Sequence, residues 1–92
     1  MNNNKVCVDL VVPGIEERYN VFIPINKKTI EIIFLLNKAV NEMSNGAFPM
    51  SSHLSLINAE TGAVYDTDAT FLDVGILNGT RLILIWGGEL DD

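Results

Sequence analysis

The sequence predicts an α+β domain: a mixed sheet of four to five strands with one main helix packed across one face. Three observations predict it. Residues 5–12 (KVCVDLVV) and 19–23 (YNVFI) alternate like strands and are joined by a short loop with a Pro13-Gly14 turn signal. Residues 30–43 (IEIIFLLNKAVNEM) carry apolar side chains at helical spacing. Residues 70–86 (TFLDVGILNGTRLILIW) hold Leu72, Ile76, Leu82 and Leu84 as core positions that only a completed sheet could bury.

A chain of 92 residues with 48% apolar composition is one domain with one modest core. The net charge of −6 repels a nucleic-acid backbone or an anionic membrane surface. One cysteine, Cys7, excludes an internal disulfide and fits a reducing compartment. The N-terminus shows no signal-peptide pattern. The longest helical apolar run, residues 30–36, is well short of the roughly 18 residues of a membrane span. A cytoplasmic protein with no membrane insertion is expected.

In chain order, residues 1–4 are expected to be disordered, 5–86 to form the domain and 87–92 to be a flexible tail. In the first strand Val6, Val8 and Leu10 face one side, with Lys5, Cys7 and Asp9 on the other. The second strand sets Tyr19, Val21 and Ile23 against Asn20 and Phe22 and ends at Pro24. Thr29 is the expected N-cap of the helix. Ile33, Leu36, Val40 and Met43 form its buried stripe, and Asn37, Lys38, Asn41 and Glu42 its polar side. Its first two turns are apolar on nearly all sides, so Ile32, Phe34 and Leu35 are either covered by loops or exposed for a partner. Asn45-Gly46 supplies a left-handed stop. Residues 53–58 alternate, with Leu54 and Leu56 inward and His53, Ser55 and Ile57 outward. A turn at 59–62 leads to a short return strand, 63–65. Thr70-x-x-Asp73 caps a single turn, Asn78-Gly79 makes a tight turn, and residues 80–86 close the sheet. With the last strand beside the first and the helix across one face, the order describes a β-grasp.

The chain resembles ubiquitin-like proteins over residues 5–86. Thr29-Ile30 at the helix start, Leu56-Ile57 on the third strand, and Thr70-Phe71-Leu72-Asp73-x-x-Ile76 before Thr80-x-Leu82-x-Leu84 match the ubiquitin pattern in order and approximate spacing. The helix soon after Pro24 and the ending Leu72-Asp-x-Gly-Ile-x-Asn-Gly-x-x-Leu resemble the YukD/EsaB family. These are small bacterial ubiquitin-like proteins of type VII (WXG100/ESX-type) secretion. The resemblance implies a non-enzymatic, cytoplasmic protein-binding module without a cofactor.

The residues themselves offer little for catalysis. One His and one Cys, distant in sequence, make no metal-ligand spacing. Cys7 lies mid-strand with nothing nearby to activate it, and Asp66-Thr67-Asp68 lacks the ligands and glycine of a calcium loop. Gly87-Gly88 is the alternative signal, since ubiquitin-like modifiers and sulfur carriers are activated at a terminal Gly-Gly. Here the pair follows Trp86 directly and is followed by Glu89-Leu90-Asp91-Asp92, so conjugation at Gly88 requires proteolysis first.

If Leu82 and Leu84 face the helix, Arg81, Ile83 and Ile85 face away from it, beside Ile57. Ubiquitin holds partners on the corresponding face, with an isoleucine and a valine at the positions matched by Ile57 and Ile85. The expected protein-binding site is therefore Ile57, Ile83 and Ile85, bordered by Arg81 and His53, for a protein partner that includes type VII secretion components. The same face could instead form a homodimer. A register error of one residue would turn all three isoleucines inward.

Overall fold

The computed structural model describes residues 4–87. Four strands form one sheet: β1 (Lys5–Val12), β2 (Glu17–Pro24), β3 (Leu54–Asn58) and β4 (Arg81–Trp86). Their order across the sheet is β2-β1-β4-β3. β1 pairs antiparallel with β2 and parallel with β4, and β3 pairs antiparallel with β4. The helix α1 (Thr29–Met43) crosses one face, and a one-turn helix α2 (Phe71–Val74) precedes the last strand. This is the β-grasp expected from the sequence.

The valine-rich alternation of β1 explains its central place. Val6, Val8, Leu10 and Val12 all point under the helix and are buried. Leu82 and Leu84 of β4 and Leu56 of β3 continue the same surface. Ile32, Ile33, Leu36 and Val40 of α1 close it from above. Each such side chain contributes on the order of 1.5–3 kcal/mol when fully buried.

The turns follow their sequence signals. Thr70 Oγ1 accepts from the Asp73 amide at 3.1 Å and caps α2. Asn45 (φ 54°) and Gly46 (φ 85°) take the left-handed geometry that stops α1. The Asn78-Gly79 turn is tied to β1 at both groups of Cys7. The Cys7 amide donates to Asn78 Oδ1 at 2.8 Å, and the Gly79 amide donates to the Cys7 carbonyl at 2.8 Å.

Several expectations are corrected. Lys28, not Thr29, is the N-cap; its amide donates to Glu31 Oε1, while the Thr29 hydroxyl donates to the Ala69 carbonyl at 2.9 Å and is buried. Met43 is exposed, and Asn37, expected on the polar side, is buried. Asn37 spans two backbone groups of the following loop: its Nδ2 donates to the Pro49 carbonyl and its Oδ1 accepts from the Ser51 amide. Ile32 is buried, whereas Phe34 and Leu35 are exposed. Leu72, expected in the core, is 65% exposed; its neighbour Phe71 is fully buried instead. The return strand at 63–65 is reduced to a single bridge between Ile57 and Val64, and His53 and Thr80 lie just outside their strands.

Candidate interaction face of the sheet

One face of the sheet lies under α1, and the other carries the alternate residues of every strand. The register places Ile57 directly opposite Ile83, and Ser55 opposite Ile85. Val11 of β1 is the partner of Ile83 on its other side, and Val64 bridges to Ile57. Val11, Ile83, Ile57 and Val64 therefore form one apolar row across the open face, with Ile85 one step along β4. Val11, Ile57, Ile83 and Ile85 are half-buried, and Val64 is 63% exposed. β-branched side chains are restricted at χ1, so the row loses little side-chain entropy when covered.

A charged group borders this row. Asp9 pairs with Arg81 across β1 and β4. Asp9 Oδ2 accepts from Arg18 Nη2 at 2.7 Å and from Arg81 Nε at 2.9 Å. The Asp9 side chain is 18% exposed, whereas those of Arg18 and Arg81 are 61% and 54% exposed. The hydrogen bonds from Arg18, then Arg81, hold the Asp9 carboxyl below its usual range. One carboxylate thus fixes two guanidinium groups beside the apolar row while leaving them open to solvent.

His53 lies at the entry to β3, exposed, with its amide donating to Ser51 Oγ and its carbonyl accepting from the Gly87 amide at 2.8 Å. Arg81 and the three isoleucines share one face, with His53 at the end of β3 beside Trp86's partner Leu54. Trp86 does not shield the row. It points to the helix side, where its ring stacks on the buried Phe48 with centroids 4.7 Å apart. It also covers Gly14 so closely that a Cβ there would come within 2.3 Å of the indole. Gly87 is fastened to His53 at the sheet end; Gly88, the candidate conjugation site, lies outside the described residues.

Sequence reading missed Val11 and Val64. Val11 carries a readable signal, since it alternates with the buried Leu10 and Val12. Val64 has none, because its bridge to Ile57 depends on how the 59–62 turn folds back. Among the described residues no group of three or more His, Cys, Asp or Glu could hold a metal. No helix among them is long and apolar enough to cross a membrane.

No protein-family model matches the chain, and no curated protein matches it. Solved structures do. The EccD5 ubiquitin-like domain from Mycobacterium xenopi aligns at a TM-score of 0.76 and 18% identity, covering 98% of this chain and 99% of that one. A chain of the MycP5-free ESX-5 inner membrane complex aligns at 0.79 and 18% identity; 98% of this chain is covered, against 23% of that chain. The ubiquitin of Caldiarchaeum subterraneum aligns at 0.65 and 14% identity, covering 95% and 99%. The chain has the ubiquitin-like β-grasp fold.

Proposed function

We propose that this chain is a non-enzymatic ubiquitin-like interaction module, an accessory of a bacterial type VII (WXG100/ESX-like) secretion system that works in the cytoplasm. Its folded unit is residues 5–86, and Ile57, Ile83 and Ile85 bind the partner, with Arg81 and His53 at the border. The observation that carries this reading is the apolar row on the sheet face opposite α1. Rigid apolar side chains flanked by charges are how interfaces combine a desolvated centre with a polar rim. The Arg18–Asp9–Arg81 group orients an acidic or hydrogen-bonding partner segment along one side of the row. Support for the secretion setting comes from the short YukD/EsaB-like pattern at 72–82 and from the likeness to the EccD5 domain and to a chain of the ESX-5 inner membrane complex.

The test is capture of type VII secretion components from the native cell by tagged protein. Ile57→Asp with Ile85→Asp is expected to abolish capture while the circular dichroism spectrum and cooperative melting persist. Val64→Asp, at a largely exposed position outside the core, is expected to weaken it without loss of stability. Capture by both variants at the wild-type level contradicts the proposal.

A further inference from the structure

We propose that the outer face of α1 pairs with the same face of a second copy of this chain, the two helices antiparallel about a two-fold axis between Phe34 and Leu35. The core stripe of α1 is Ile33, Leu36 and Val40. Glu31 and Lys38 stand on the opposite side, both exposed, because residues three and four apart share a helix face. Between them lie Phe34 and Leu35, 59% and 40% exposed, with Ile30 at 51%. Lys27, Ile30, Glu31, Phe34 and Leu35 line an open hollow of about 410 Å³.

The order of side chains along this face is self-complementary. An axis midway between positions 34 and 35 sets Phe34 against the second copy's Leu35, and Glu31 against its Lys38. It also brings Lys27, which precedes α1 and lines the same hollow, toward Glu42. The two-fold repeats every opposition, so four ion pairs frame an apolar centre. Moving the axis to Phe34 sets Lys38 against Ile30 and Glu31 against the buried Asn37, and both ion pairs are lost. Among the described residues Lys27, Lys38 and Glu42 form no ion pair within the chain. Glu31 is held by the Lys28 amide on Oε1, which leaves Oε2 for a lysine. Three exposed apolar side chains per copy cover far less than the roughly 1,200 Å² of a stable interface, so the dimer is weak and depends on concentration. Its surface is opposite the sheet face, so a dimer leaves the isoleucine row free.

Sedimentation velocity on the full chain from about 10 µM to about 1 mM covers the range in which such association is measurable. The expected result is a rise toward the dimer at low salt that falls back at about 0.5 M salt, where exposed pairs are screened. Lys38→Glu and Glu31→Lys are each expected to stay monomeric, and their equimolar mixture to regain the dimer. Because Glu31 also caps α1, the swap is repeated with Lys27→Glu and Glu42→Lys, which leave the cap intact. A wild-type chain monomeric at about 1 mM, a dimer that survives Phe34→Asp, or mixtures that restore nothing in either swap overturns the proposal.

Discussion

Phe48→Ala removes the one fully buried aromatic side chain that belongs to no strand or helix. Phe48 sits in the loop after α1, which Asn41 of the last helical turn and the C-cap residue Ser44 fasten in place. Ser44 Oγ accepts from the Phe48 amide at 3.1 Å, and Asn41 Nδ2 donates to the Phe48 carbonyl at 3.0 Å. The ring then stacks on Trp86, at the end of β4. Truncating a buried phenylalanine costs about 3–5 kcal/mol. Trp86 is 39% exposed and free to settle partly into the space, which places this case at the low end, about 3 kcal/mol. For a domain of this size that lowers Tm by about 12–24 °C. Urea denaturation followed by circular dichroism gives the value directly, with the midpoint falling at unchanged m. A double-mutant cycle with Trp86→Ala is expected to show about 0.5–1.5 kcal/mol of coupling from the stacked pair. A cost below about 1 kcal/mol, or no coupling, refutes the assignment of Phe48 and Trp86 as the seal at this end of the core.

Three further outcomes follow from the packing and the charges. Asn37→Ala is expected to cost about 1–3 kcal/mol by leaving the Pro49 carbonyl and Ser51 amide without their side-chain partner, read by the same urea titration. Phe71→Ala is expected to cost about 3–5 kcal/mol and Leu72→Ala less than about 0.5 kcal/mol, so thermal melts of the two variants rank the α2 residues in the order of their burial. Asp9 has a lowered folded-state pKa, so its contribution to stability is present above its unfolded value of 3.8 and is lost as pH falls through the folded value. In Asp9→Asn that loss below pH 3.8 is expected to disappear from the stability–pH curve, together with some stability at neutral pH.

The parts of the fold legible in the sequence are those where a period is enforced by a buried face. β1 alternates because every second residue is under the helix, and Leu82 and Leu84 repeat that rule in β4. Thr70 was readable because a threonine side chain suits a helix cap, and here it accepts from the Asp73 backbone amide three residues on. A one-turn helix is too short for spacing to choose its inner side, so Leu72 read as core while Phe71 occupies it. Asn37 read as solvent-facing because its hydrogen bonds go to a loop whose path no local pattern reveals. Phe48 was hidden for the same reason: a loop has no period. The parity of Arg81, Ile83 and Ile85 was legible from β4, but the register that sets Ile83 between Ile57 and Val11, and so makes the row, came from the sheet.

The most direct measurement of the central claim is quantitative capture of type VII secretion components by three tagged chains at equal concentration: wild type, Ile57→Asp with Ile85→Asp, and Phe34→Asp. A central hot spot costs about 2 kcal/mol or more when removed, equivalent to about 30-fold in affinity. The account predicts a loss of at least that size for the sheet-face variant, with its cooperative melt retained, and capture within about twofold of wild type for Phe34→Asp. Undiminished capture by the sheet-face variant, with capture lost in Phe34→Asp, would contradict it and move the binding site to α1.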